Sequence, residues 1–158
     1  MNPTVQSKPA AAAVEGISTS VGHMRSLLFR RTAGAQSILL FAASILMVAS
    51  GLIHLHLWQI AYRHVATLGP LFLVQAAAAI VGAVVLVATR RALVMVVAVA
   101  LMAGTIIGFI LVTTVGLFGF TLTDITGWAY LALVTEGTAI VLLVGDATLL
   151  WRSARQAH

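Results

Sequence analysis

The chain is predicted to be an all-α integral membrane protein, a bundle of four transmembrane helices with both termini in the cytoplasm. Three observations predict it. Of its 158 residues, 61% are hydrophobic and 8% are charged, against about 25% charged in ordinary globular chains. The apolar residues gather into four runs, each at or beyond the ~20 residues that span roughly 30 Å of hydrocarbon. The basic residues stand in short segments beside those runs, where orientation signals belong.

Residues 1–33 are polar, small and basic, with an alanine stretch at 10–13 and then Arg25, Arg30 and Arg31. They read as a disordered cytoplasmic tail ending in a basic collar. Residues 34–151 hold the transmembrane domain, with runs at about 35–58, 70–89, 92–118 and 128–150, and 152–158 form a short tail. Inside hydrocarbon no water satisfies backbone N–H and C=O groups, so each run must be helical. The alternating pattern of a membrane β-barrel is absent.

Lys8, Arg25, Arg30 and Arg31 precede the first run, Arg90 and Arg91 join the second to the third, and Arg152 and Arg155 follow the fourth. Only Arg63 falls on the opposite side. The excess of Lys and Arg makes the first side cytoplasmic. Trp58, Tyr62, Trp128 and Tyr130 gather at the other boundary as an aromatic belt would, and Trp151 marks the cytoplasmic one. The Arg90-Arg91 turn is short enough to make the second and third helices an antiparallel hairpin.

Several classes are set aside. The net charge of +5 is an orientation signal beside apolar runs, not a nucleic-acid footprint. The chain has no cysteine, so disulfides and thiolate chemistry are excluded. Arg30-Arg31 with Val48-Ala49-Ser50 imitates a secretory signal, but the apolar run continues past the cut. No hydrolase elbow, phosphate loop or zinc-protease motif is present.

Glu136 is the most informative position. It lies roughly 12 Å below the outer end of the fourth helix, at ~1.5 Å per residue. An unpaired carboxylate there costs several kcal/mol, so it is protonated, paired or facing water. Ala129, Ala132 and Ala139 share its helical face and turn it inward. By the same counting His54 lies about 6 Å deep and Gln75 about 8 Å. The three are expected to form one polar cluster in the outer half of the bundle. Two readings stand. In the structural one, His54 and Gln75 hydrogen-bond Glu136 and set helix register. In the functional one, the cluster is a ligand, quinone, haem, metal or proton site.

Around the cluster, Trp58, Tyr62, Arg63 and His64 are outer-face candidates. Arg63 pairs with Asp124 or reaches down to Glu136, and His54 with His64 is the one two-histidine pair the loops could close. His54 and His56 point about 200° apart on a helix and cannot share one ion. His56 reads as a boundary residue that snorkels. Haem needs two histidines across the porphyrin, and no second intramembrane histidine is evident. Asp146 reads as a structural pair or an interfacial carboxylate.

Lipid offers no hydrophobic reward for helix association, so small residues mark close approach. Ala100, Gly104 and Gly108 form such a ridge on the third helix, and Ala78, Ala79 and Gly82 on the second. They pack within the bundle, or the Gly104/Gly108 ridge mates with another subunit.

The stretches Ile53-His54-Leu55-His56-Leu57-Trp58, Gly69-Pro70-Leu71-Phe72-Leu73-Val74-Gln75 and Val115-Gly116-Leu117-Phe118-Gly119-Phe120 resemble those of a group of small bacterial four-helix membrane proteins of uncharacterised role. The resemblance covers about 51–150 and excludes the basic tail. It implies a fold and draws attention to His54, Trp58, Tyr62, Gln75 and Glu136, and it implies no activity.

The expected function is a non-enzymatic accessory or interaction subunit in the cell membrane, with lipid and a membrane-protein partner or a second copy as its neighbours. The main rival is a small transporter or proton-linked carrier using His54, Gln75 and Glu136, which requires a cavity at that cluster. The third is a redox module holding haem or quinone.

Overall fold

The computed structural model describes residues 34–123 and 125–156. Residues 37–156 lie in one compact unit. The described residues form four helices: α1 (Gly34–Tyr62), α2 (Leu68–Thr89), α3 (Ala92–Thr114) and α4 (Gly127–Gln156). All four are long and apolar enough to cross a membrane.

Neighbouring helices run antiparallel around one core. Leu40, Ala43 and Met47 of α1, Ala79, Ala83 and Leu86 of α2, Met95, Ala98 and Met102 of α3, and Ala139 and Leu143 of α4 are buried together. Met47, Leu86, Met102 and Leu143 are the largest apolar side chains that are fully enclosed, and they help fill the half of the bundle nearer Arg90. Large apolar side chains cover the outside instead of polar ones, including Ile38, Leu93, Val96, Val134 and Val141. Hydroxyls in this setting bond back to their own helix: Thr105 to Leu101, Thr113 to Phe109 and Thr138 to Val134. That satisfies the donor without water.

α1 and α2 pack tightly at Gly51. A Cβ there would lie 2.8 Å from Ile80 Cγ1 and 3.0 Å from the Ala76 carbonyl oxygen. Gly82 adds a looser contact, with Met47 Cε 3.3 Å from the position of an added Cβ.

The ends of the helices depart from the expected bounds. α1 runs past Trp58, and its last turn, Trp58–Tyr62, is a π-helix closed by Arg63 N–H to the Trp58 carbonyl at 2.9 Å. α2 begins at Leu68, where Gly69 lets its backbone sit against the Tyr62 carbonyl, 2.7 Å from an added Cβ. α2 and α3 are joined by Arg90 in the left-handed region (φ 51°) and Arg91 in an extended one.

α3 stops at Thr114, not at Phe118. Val115 and Gly116 both return their N–H to the Leu111 carbonyl, and Gly116 (φ 81°) turns the chain out of the helix. Leu117 and Phe120 then exchange both backbone hydrogen bonds, at 2.7 and 2.9 Å. Phe118 (φ 52°) and Gly119 (φ 78°) lie between them. Two positive φ values between paired residues are the signature of a type I′ turn. Leu122 N–H bonds the Val112 carbonyl at 3.0 Å, laying this turn back against the end of α3.

Candidate functional site

The half of the bundle away from Arg90 is not filled. It holds a half-open cavity of about 510 Å³, within the ~300–1,000 Å³ typical of small-molecule sites. Small residues make the room: Ala100, Gly104 and Gly108 on α3 and Ala129 and Ala132 on α4 all line it. Nothing lies within 4 Å of an added Cβ at Gly104 or Gly108. The ridge expected to bring helices together therefore does the opposite among the described residues, leaving space that side chains would have taken. Aromatic rings supply much of the remaining wall: Tyr62, Phe72, Phe109, Phe118 and Phe120. Tyr62 stacks on Phe72 (4.4 Å, 17°) and meets Phe120 edge-on at 6.1 Å. The π-turn ending α1 carries Tyr62, and the I′ turn after α3 carries Phe118 and Phe120.

The three polar residues singled out by depth, His54, Gln75 and Glu136, all line this one cavity. Their bonding differs from the expected network. Glu136 is 1% exposed, and its Oε1 accepts a hydrogen bond from Ser50 Oγ at 2.9 Å. His54 Nδ1 lies 2.9 Å from the Ser50 carbonyl oxygen. A carbonyl only accepts, so Nδ1 carries a proton. Nε2 is thereby turned toward Glu136 Oε1, at 3.7 Å, beyond direct hydrogen-bond reach. Gln75 does not bond Glu136; its Nε2 is buried with no partner among the described residues. An acid, an imidazole edge and an unpartnered amide donor thus stand buried at the edge of the cavity.

Ser50 is the residue that sequence reasoning missed. Along the chain it is only a small neighbour one turn from His54. The other buried hydroxyls, Ser44 and Thr135, bond carbonyls of their own helix. Ser50 instead donates its proton to a carboxylate in α4.

The outer-face candidates separate. Tyr62 lines the cavity, whereas Trp58, Arg63 and His64 do not. Arg63 does not reach Glu136: exposed, it donates from Nε to His64 Nε2 at 2.9 Å, which also removes His64 as a partner for His54. Asp124, its other proposed partner, lies outside the described residues. His56 packs against the Trp128 ring at 4.6 Å. No described histidine stands opposite His54, and no group of three or more metal-ligating side chains occurs among the described residues. The arrangement does not fit a bis-histidine haem.

At the other end, Arg90 donates to Ser37 Oγ at 3.3 Å and lies over the Phe41 ring at 5.8 Å. Arg91 and Arg152 are exposed, and Arg155 covers the Trp151 ring at 3.6 Å. Arg30 and Arg31 lie outside the described residues. Asp146 is 1% exposed, with Oδ1 unpartnered and no salt bridge among the described residues, and the Arg90 charge is close enough to act on it. Ala78 and Gly82 are half-buried.

No family model, curated protein or solved structure matches the chain.

Proposed function

We propose that the chain is a multi-pass protein of the cell membrane, with both termini in the cytoplasm, that binds a small lipophilic molecule in the cavity around Glu136 and performs no chemistry on it. Four apolar helices with apolar side chains facing outward support the membrane setting, and Arg90, Arg91, Arg152 and Arg155 support the orientation. The observation that carries the binding reading is the cavity itself. Lipid-embedded helices associate largely through close packing, so a half-bundle left open beside three polar side chains forgoes that packing. A ligand with an apolar body and a polar head would restore it.

The test uses Gly104. Gly104→Leu places a side chain into the open space without displacing any neighbour of its Cβ. N-phenyl-1-naphthylamine, a neutral dye that brightens in apolar sites, is titrated against detergent-purified protein. The reading expects one saturable site per chain, lost in Gly104→Leu while helicity and melting are kept. Equal dye binding by both proteins would refute it.

A second reading, an accessory subunit of a membrane complex, is favoured by the same uncovered α3 ridge. A partner helix or second copy seated on Ala100, Gly104 and Gly108 would close the space. Cross-linking from Gly104→Cys to a second polypeptide in native membranes supports that reading, and its absence there counts against it.

A further inference from the structure

We propose that the cavity takes a lipophilic organic cation of the quaternary ammonium or phosphonium class, and that the cation replaces the proton held between Glu136 and His54. This rests on the binding reading above and names its ligand.

The lining chooses among charge types. Among the described residues no Lys or Arg lines the cavity, so no permanent positive charge there offsets a bound anion. Among the same residues Glu136 is the one acidic side chain in the lining, held 1% exposed. Five aromatic rings, from Tyr62, Phe72, Phe109, Phe118 and Phe120, stand around the same space. A carboxylate beside the cavity and aromatic rings in its walls are the two features that attract a weakly hydrated cation, and the ring attraction grows when the site excludes water. A strongly hydrated small ion gains nothing from such walls.

The groups facing Glu136 define the exchange. From α1 come Ser50, His54 and, higher in the cavity, Tyr62; from α2, Gln75; from α3, Thr105; α4 and the segment after α3 add no second ionisable group among the described residues. His54 Nδ1–H is committed to the Ser50 carbonyl. One proton therefore balances the pair, on Glu136 or on His54 Nε2, and without it the pair carries a negative charge. A bound cation supplies the balancing charge instead, and the proton leaves to water. No bond other than that O–H or N–H changes. Binding and proton release are linked, so affinity rises with pH, about tenfold per unit through the titrating range. Exchange of one cation for one proton at a single site is the elementary step of a proton-linked carrier.

The experiment measures tetraphenylphosphonium binding to detergent-purified protein by equilibrium dialysis across pH, with N-phenyl-1-naphthylamine binding followed in parallel. The expected result is cation affinity that rises with pH in the wild type. In Glu136→Gln it is at least about thirtyfold weaker and flat with pH, and in Glu136→Asp it is largely kept. Glu136→Gln must keep the helicity and melting of the wild type, which shows that the fold survives. Equal cation affinity in wild type and Glu136→Gln, or a flat pH dependence in the wild type, overturns the cation proposal while dye binding leaves the cavity reading standing. Failure of the wild type to bind the dye overturns both.

Discussion

Replacing Gly51 and Gly104 by alanine, one at a time, should give stability changes separated by the cost of overpacking alone. Both glycines lie within helices, so both gain the intrinsic preference of alanine over glycine, about 0.8–1 kcal/mol. They differ in what the new methyl meets. At Gly51 it stands 2.8 Å from Ile80 Cγ1 and 3.0 Å from the Ala76 carbonyl oxygen, and the second contact is backbone that a rotamer change cannot move. At Gly104 it meets nothing within 4 Å. Overpacking costs about 1–3 kcal/mol. Gly104→Ala should therefore stabilise by about 1 kcal/mol, and Gly51→Ala should be neutral to about 2 kcal/mol destabilised. The gap, about 1–3 kcal/mol, corresponds to roughly 5- to 150-fold in the unfolding equilibrium. Reversible unfolding in mixed micelles of increasing SDS content, followed by helicity, measures both variants on one scale. If Gly104→Ala destabilises as much as Gly51→Ala, α3 packs tightly at its glycines and the cavity is not where the structure puts it.

Other consequences are equally direct. Ser50→Ala removes the hydrogen bond to Glu136 Oε1 and should cost about 1 kcal/mol, the usual scale of an interhelical bond in a membrane. In a Glu136→Ala background the same change should cost nothing, and an unchanged cost there would show that Ser50 acts elsewhere. Phe118 holds φ 52° in the turn after α3, a conformation that costs a bulky residue roughly 1–2 kcal/mol. Phe118→Asn should raise the SDS midpoint while weakening tetraphenylphosphonium binding through the lost ring; a lower midpoint would contradict the turn assignment. The natural chain has no cysteine, so Ala66→Cys and Ala92→Cys, both at exposed positions, each give a single thiol. An impermeant maleimide applied to intact cells should label the first and spare the second, and the reverse pattern would invert the topology.

The four helices were legible because span length and apolar content are local quantities that bilayer thickness constrains. Their ends were not. Thr113, Thr114 and Val115 keep the apolar run going, so hydropathy carries α3 to Phe118; the chain leaves the helix because Gly116 and Gly119 take positive φ, and backbone turning does not register in hydropathy. The shared depth of His54, Gln75 and Glu136 follows from counting along helices, so their convergence on one region was foreseeable. Their bonding was not, because a serine hydroxyl is equally able to bond its own helix or the next, and only the neighbour across the interface decides. The Gly104/Gly108 ridge shows the same ambiguity. A missing side chain permits contact or leaves a void, and the sequence of α3 does not say which element faces it.

The account rests on α4 turning Glu136 into the bundle and its valines out into lipid. Photolabelling tests this on the unaltered protein: a carbene precursor carried on a phospholipid acyl chain is activated in reconstituted bilayers, and insertion is mapped by tandem mass spectrometry. Val134 and Val141 are 64% and 69% exposed, while Glu136 and Ala139 are 1% and 0%. Insertion should therefore fall on Val134 and Val141 and pass over Glu136 and Ala139. Labelling of Glu136 at the level of Val134 would place the carboxyl group against lipid and contradict the site.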